Sequence, residues 1–176
     1  NTIHHNNIGG SGSGSVGTAN TFITSGAGNY IYNNLFYANG DGTYLDSVIE
    51  LRASDGANFV YNNTIADNFN NVVCIRLGAS GYTVQNNLCA GNSNNTVRQD
   101  AGGNTVTTNL SIGNARFVDP PNANYRLQTS SPRSSALDAA TNLSGVFTGD
   151  ITGTVTRPAT GPWDQGAYEM EAGGSG

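Results

Sequence analysis

A pair of asparagines recurs three times along the first two thirds of this chain, and single-Asn variants of the same motif lie at Asn1 and Asn109. With the second Asn of each pair as position zero, the spacings are 33, 29, 24 and 22 residues. Five residues later, every repeat has another Asn. The two columns are Asn1, Asn34, Asn63, Asn87 and Asn109, and Asn6, Asn39, Asn68, Asn92 and Asn114. Repeats of this length predict short units that bury an apolar face only by stacking on one another.

Two apolar columns support the same alignment without a gap between positions −12 and +5. The column at −3 is β-branched throughout, and the column at −12 is apolar throughout. Their members are Ile31, Val60, Val84 and Val106, and Phe22, Leu51, Ile75 and Val97. Short β-branched runs between Asn and Gly turns predict a β-solenoid in which equivalent residues lie about 4.8 Å apart.

The two Asn columns are predicted to lie at the corners of the coils. Stacked Asn side chains can form hydrogen-bonded ladders, and Asn tolerates the left-handed backbone of a sharp turn. We therefore assign both columns a structural role.

Composition excludes several other classes of protein. The chain has 25 Asn and 24 Gly but no Lys, and only 11% of its residues are charged. It therefore lacks the helix formers that a bundle or coiled coil needs. The absence of a long apolar run predicts no membrane insertion, and the net charge of −5 predicts no nucleic-acid partner.

The repeats resemble the right-handed parallel β-helix coils of pectate-lyase-like proteins. The last third resembles the closing segment common in secreted or surface-anchored bacterial β-helix proteins, with departures at residues 132–136 and at Ala140. The matching motifs, in order, are Phe117-Val118-Asp119-Pro120, Tyr125-Arg126-Leu127, Ser131-Pro132, Ala136-Leu137-Asp138-Ala139, Asp150-Ile151-Thr152-Gly153, Arg157-Pro158 and Asp164-Gln165-Gly166-Ala167-Tyr168-Glu169. The resemblance implies a secreted or cell-surface bacterial protein and does not imply one activity.

The predicted architecture is all-β: a single-stranded right-handed parallel β-helix of about five coils with a C-terminal cap. Residues 1–115 are assigned to the coils, 116–171 to the cap and 172–176 to a linker or tag remnant. The cap is expected to cover the end of the last coil with an apolar lid. Because the chain begins in mid-coil, we expect it to be the C-terminal part of a longer protein.

A column of three arginines is the main candidate binding site. Arg52, Arg76 and Arg98 lie at position −11, which the strand period places on the outer face, with Glu50 and Asp100 two residues from an Arg. One interpretation is an ordinary surface ion-pair ladder. The other is a polyanion groove for an acidic polysaccharide, because Arg binds carboxylates through two parallel hydrogen bonds.

No catalytic residue is assigned in this chain. A polysaccharide lyase needs a positioned base, Lys is absent, and no acidic cluster could hold the calcium that lyases of this fold often use. Glu50 and Asp100 would lie about 10 Å apart, near the separation in inverting glycosidases, but such pairs arise by coincidence in a solenoid. No cofactor is expected, except calcium if the protein is lyase-like. The adjacent His4 and His5 point to opposite faces, so they are not expected to form a metal site.

Cysteines and aromatic residues complete the candidates. Cys74 is predicted to point outward and Cys89 to lie beside the core, so we do not expect a disulfide. An aromatic set could stack on sugars or on neighbouring coils. Its members are Tyr30, Tyr32, Tyr37, Tyr44, Phe59 and Tyr61.

The leading functional hypothesis is a non-catalytic extracellular or cell-surface module for carbohydrate contact, adhesion or structural display. The first alternative is the C-terminal part of a polysaccharide lyase or glycoside hydrolase that acts on acidic polysaccharide. The second is a scaffold or filament protein that self-associates through an open N-terminal coil, because unpaired strand edges can template further strands.

Overall fold

The structure is a computed structural model that describes residues 2–4, 19–24, 27–39, 45–52, 56–68, 73–92 and 94–170. Its strands are short, as expected for segments between frequent turns. They are β1 (Thr2–His4), β2 (Ala19–Thr24), β3 (Tyr30–Tyr32), β4 (Leu35–Tyr37), β5 (Leu45–Leu51), β6 (Asn58–Tyr61), β7 (Thr64–Ala66), β8 (Val73–Leu77), β9 (Tyr82–Gln85), β10 (Leu88–Ala90), β11 (Asn94–Gln99), β12 (Thr105–Thr107), β13 (Leu110–Ile112), β14 (Phe117–Asp119) and β15 (Asn124–Leu127). A 3-10 turn at Pro120–Asn122 joins the last two strands.

Three parallel sheets form the walls of a solenoid. Sheet I has the order β1-β4-β7-β10-β13, sheet II has β2-β5-β8-β11, and sheet III has β3-β6-β9-β12. Each strand pairs with its equivalent from the next repeat, and the antiparallel β14–β15 hairpin stands outside these sheets. The prediction of an all-β parallel solenoid is therefore confirmed.

The inward column predicted at position −3 forms one wall of the core. The predicted column at −12 does not hold at β5, where Ile49 rather than Leu51 pairs with Phe22 and Ile75. In sheet III, Ile31 pairs with Val60, Val60 with Val84, and Val84 with Val106. The first three side chains are buried in one cluster, and Val106 packs against it from the edge. Alternation along the strands places the intervening residues on the outer face.

The position-zero asparagines form a buried hydrogen-bonded ladder. The Nδ2 of each Asn donates to the Oδ1 of the next, at 2.9 Å from Asn34 to Asn63, 2.9 Å from Asn63 to Asn87 and 2.8 Å from Asn87 to Asn109. Each backbone N–H of the first three also donates to the next Oδ1. Buried amides are thereby satisfied along the stack. Asn1, predicted to begin this column, lies outside the described residues.

The column at +5 forms a shorter ladder. Asn39 donates to Asn68 at 3.0 Å, and Asn68 donates to Asn92 at 3.1 Å. Asn114 was predicted to continue this ladder, but its Oδ1 instead accepts the N–H of Arg116 as the chain leaves the solenoid. Asn6, the other end of the predicted column, lies outside the described residues.

A third Asn column, which was not predicted from the sequence, lies at another turn of the coils. Asn29 donates to Asn58 at 2.8 Å, and the backbone N–H of Tyr82 donates to the Oδ1 of Asn104 at 3.0 Å. These residues lie at position −5 of the same alignment, at the turn between sheets II and III. Tyr82 interrupts the column, so the Asn pattern there is incomplete.

The C-terminal segment, residues 116–170, lies along the side of the solenoid. It accepts hydrogen bonds from the asparagines that precede the ladder in three successive repeats. Asn33 donates to Gly149 O, Asn62 to Gly166 O, and Asn86 to Thr141 O. These contacts lie on the side of the solenoid, and the expectation that the segment covers the end of the last coil stays a prediction.

Apolar residues of the C-terminal segment cover the outer face of sheet I. Tyr125 packs with Leu35, Tyr37 and Ala66 in one cluster, and Leu127 packs with Leu88 in another. The central strands of sheet I, β4, β7 and β10, are consequently buried on both faces, because the solenoid core covers their inner side. This explains why β4, β7 and β10 are buried at every position rather than at alternate ones.

A buried arginine fastens the C-terminal segment to the solenoid. Arg157 donates from Nη1 to Glu169 Oε2 at 2.7 Å and from Nη2 to Asn33 Oδ1 at 3.2 Å. Its guanidinium also lies over the Trp163 ring, 5.1 Å from the centroid. The Nε of Arg157 has no hydrogen-bond partner, so the buried cation is not fully satisfied.

Candidate functional site

The structure joins the predicted arginines and acids into one charged row on the outer face of sheet II. Along the row the order is Arg52, Glu50, Arg76, Asp100, Arg98. The successive N–O distances are 2.8 Å from Arg52 to Glu50, 3.3 Å from Glu50 to Arg76, 2.5 Å from Arg76 to Asp100 and 2.7 Å from Asp100 to Arg98. Acids thus alternate with arginines, and the row carries one excess positive charge.

The register of β5 differs from the prediction. Arg76 pairs with Arg98 as predicted, but the residue opposite Arg76 on β5 is Glu50, and Arg52 lies two positions further along. The turn between β5 and β6 has two more residues than the equivalent turn between β8 and β9. The ungapped alignment of the sequence was therefore wrong at β5. The shift places a carboxylate between like charges and removes the repulsion of three stacked guanidinium groups.

Pairing with the arginines determines the electrostatics of the row. The hydrogen bond from Arg76, joined by one from Arg98, holds the pKa of Asp100 below its ordinary value. The Glu50 side chain is buried between two guanidinium groups, whereas Arg52 and Arg98 at the ends are 48% and 47% exposed. Both carboxylates contact Arg76, so they do not face each other across an open cleft as glycosidase carboxylates do.

A second surface lies on the outer face of sheet III and is aromatic. This aromatic shelf consists of Tyr30, Tyr32, Phe59 and Tyr61. Tyr30 stacks on Phe59 with ring centroids 4.5 Å apart and planes at 21°, and Phe59 contacts Tyr61 at 5.7 Å. In register, Tyr30 lies opposite Phe59 and Tyr32 opposite Tyr61, so the rings form two columns.

Both columns continue as polar residues toward the later coils. Phe59 leads to Thr83 and Thr105, while Tyr61 leads to Gln85 and Thr107. Gln85 Nε2 donates to Thr107 Oγ1 at 2.7 Å, so amide and hydroxyl groups are ordered on this face. These polar residues were missed in the sequence, although they occupy positions −4 and −2 of the repeat, directly below the aromatic residues.

The C-terminal segment completes a cavity beside the shelf. Phe147 stacks on Tyr32 with centroids 4.7 Å apart and in turn packs against Trp163 at 5.3 Å. Tyr30, Tyr32, Gly145 and Val146 line the resulting cavity of about 400 Å³. The contribution of residues 145–147 has no signal in the repeat, because it depends on how a separate segment folds back.

The cysteines do not lie where the alignment places them. Cys74 is buried rather than outward, and it shares the core with Cys89. Both are free thiols. Asn92 Nδ2 donates to Cys74 Sγ at 3.3 Å, and burial raises the pKa of Cys74 well above its ordinary value.

The described side chains were compared with the ligand sets that metal ions need. In those ranges, no group of three or more His, Cys, Asp or Glu residues could hold a metal ion. His4 ends β1, and His5 lies outside the described residues. Tyr44, from the predicted aromatic set, also lies outside them.

Comparison of the chain with known protein families, with curated proteins and with solved structures found no match. The pectate-lyase-like resemblance therefore stays a prediction, whereas the parallel solenoid with its Asn ladders is observed directly. No helix in the described part of the chain is long and apolar enough to cross a membrane.

Proposed function

We propose that this chain is a β-solenoid module that contacts carbohydrate through the aromatic shelf and its cavity, without catalysing a reaction. One observation carries the proposal. Of the four large hydrophobic side chains that are exposed in the described ranges, three line the same cavity: Tyr30 is 52% exposed, Tyr32 42% and Val146 49%. Exposed apolar side chains gathered in one place are typical of binding surfaces.

The rings of the shelf are held in place before any ligand arrives. Tyr30 is supported by Phe59, and Tyr32 by Phe147. Aromatic rings fixed in this way lose little conformational entropy on binding, and their flat faces suit the C–H face of a sugar ring. Thr83 and Gln85, on the strand next to Phe59 and Tyr61, supply hydroxyl and amide groups for sugar hydroxyls.

The chemistry of the shelf favours neutral sugars. None of the shelf residues or their polar continuations carries a charge, and none is an acid or base that could act on a glycosidic bond. A cavity lined by apolar groups with a few adjacent polar groups is the usual form of a binding site. Following the C-terminal resemblance, we place this module in a secreted or cell-surface bacterial protein.

The test is calorimetric titration with neutral oligosaccharides, chosen by screening the chain on a glycan array. Tyr30→Ala and Tyr32→Ala are each expected to weaken binding roughly 3- to 10-fold, because each removes one stacking face. Tyr30→Phe should retain most of the affinity. Val118→Ala is the matched control, since Val118 is the exposed hydrophobic residue outside the cavity. Equal affinity of wild type and both alanine variants would contradict the proposal.

The charged row supports a second candidate, contact with an acidic polysaccharide. Its excess positive charge and the half-exposed guanidinium groups of Arg52 and Arg98 favour a polyanion. Binding of uronate oligosaccharides should weaken in Arg98→Ala and fall steeply with added salt. If uronates bind with no salt dependence and equally to Arg98→Ala, the charged row is only a surface ion-pair ladder.

A further inference from the structure

Two buried thiols lie in the solenoid core. Cys74 on β8 and Cys89 on β10 are both fully buried in the same cluster. Asn92 Nδ2 contacts the Cys74 sulfur at 3.3 Å and also donates to the carbonyl of Ile65, the strand partner of Cys89, at 2.9 Å. The chain has no other cysteine, so a thiol reaction within one molecule has a single pairing available.

The preceding repeat fills the same positions with branched apolar side chains. Ile65 pairs directly with Cys89. Val48 lies between the pairs Ser47–Val73 and Ile49–Ile75, and so opposite Cys74. Val48 and Ile65 are fully buried, as the cysteines are. The core of this solenoid can therefore be filled by an aliphatic pair at these positions. The reactivity of the two thiols is an additional property that core packing does not require.

We propose that Cys74 and Cys89 form an intrachain disulfide under oxidising conditions, which makes this part of the core a covalent link between sheets I and II. The two residues are fifteen positions apart in the sequence. A bond between them would close a loop of that size and reduce the conformational freedom of the unfolded chain.

The oxidant we name is a low-molecular-weight disulfide, RSSR. The thiolate of one cysteine attacks a sulfur of RSSR, forming a mixed disulfide and releasing RS⁻. The thiolate of the second cysteine then attacks the cysteine sulfur of the mixed disulfide and releases a second RS⁻. The two cysteines are oxidised, RSSR is reduced to two RSH, and the cysteine protons end on the two released thiols.

Burial controls the rate of this reaction. The folded chain excludes the oxidant from both sulfurs, and burial raises the pKa of the Cys74 thiol, which leaves little thiolate. Oxidation should therefore be slow in the native state and should accelerate in low concentrations of urea, which open the coil transiently.

The experiment treats the reduced chain with oxidised glutathione at pH 8 in a low concentration of urea until the reaction stops, and then fully denatures it in the presence of a maleimide. The expected product carries no maleimide and has a mass about 2 Da below that of the reduced chain. Its Tm should be higher by roughly 5–10 °C, and dithiothreitol should reverse the increase.

The matched control is the double variant Cys74→Val, Cys89→Ile, which installs the residues of the preceding repeat. It should fold with a Tm near that of the reduced wild type and should not respond to oxidised glutathione. Two maleimide labels on the oxidised wild type, two stable glutathione adducts or a disulfide-linked dimer would each overturn the proposal, because each means that the two thiols do not pair.

Discussion

At the scale of single residues, the two members of each Asn-Asn pair have different structural roles. The first Asn is left-handed, with φ of 52° at Asn33, 47° at Asn62 and 60° at Asn86, and Thr108 takes the same role at 49°. Asn tolerates this region better than most residues because its short side chain can hydrogen-bond locally. The second Asn of the pair enters the ladder, so the predicted corner and the predicted ladder belong to neighbouring residues.

Removing one ladder side chain tests the energetic role of the stack. Asn63→Ala deletes an amide that bonds to Asn34, Asn87 and the carbonyl of Ile31, all of them buried. Leaving these partners unsatisfied should lower the free energy of unfolding by about 2–4 kcal/mol, measured by urea denaturation.

Asn109→Ala is the matched control for that substitution. Asn109 ends the ladder and is only partly buried, so its loss should cost about half as much. Equal unfolding free energies for wild type and Asn63→Ala would mean that the ladder is not a stabilising feature.

The buried pair of Arg157 and Glu169 in the C-terminal segment predicts that the stability of the fold depends on pH. Burial raises the pKa of Glu169 to about 7, and the nearby charge of Asp164 acts in the same direction. Between the ordinary pKa of a glutamate and 7, the folded chain retains a proton that the unfolded chain has lost. The free energy of unfolding should therefore fall as pH rises from 5 to 8, by an amount on the order of 2 kcal/mol.

Glu169→Gln is the variant that isolates this effect. A glutamine is neutral at both pH values, so the fall between pH 5 and pH 8 should shrink markedly in urea titrations of the variant. An identical pH profile for the variant and the wild type would show that the proton is not held at Glu169.

At the scale of strands and turns, β5 shows what a repeat alignment can and cannot predict. The inward face was predicted correctly for Leu51 and the outward face for Glu50, because a shift of two residues preserves the side-chain alternation. For the same reason, alternation could not detect the two extra residues between β5 and β6. Which residue of β5 lies opposite Arg76 depends on the length of that turn. The structure was therefore needed to identify it as Glu50.

The contact between the C-terminal segment and sheet I is close enough to test at one glycine. Gly166 has a φ of 87°, and a Cβ there would meet Thr64 Oγ1 and approach Leu88 Cβ to 3.1 Å. Gly166→Ala should therefore destabilise the chain by about 2–4 kcal/mol, measured as a lower urea midpoint.

Gly149→Ala is the control in the same segment, since a Cβ at that position meets nothing within 4 Å and its φ is not left-handed. It should change the midpoint little. If both substitutions behave alike, the segment does not pack on sheet I as closely as the structure has it.

At the scale of the whole molecule, the sequence supported the solenoid better than the path of the C-terminal segment. The stacking of the coils can be predicted because the same Asn and apolar positions recur in each repeat, so every repeat is a separate test of the pattern. The segment over sheet I is not repeated, so its position had no internal check. The uninterrupted apolar runs of β4 and β10 were the available signal in the sequence, because a strand that is apolar at every position needs a cover on both faces.

The most direct test of the stacked-coil fold is a set of long-range nuclear Overhauser effects in isotope-labelled protein. The account predicts parallel-strand contacts from Val84 to Val60 and Val106, and from Cys89 to Ile65. These pairs are 22 and 24 residues apart in the sequence. Antiparallel contacts between consecutive strands, such as β9 with β10, together with no contact between Val60 and Val84, would contradict it.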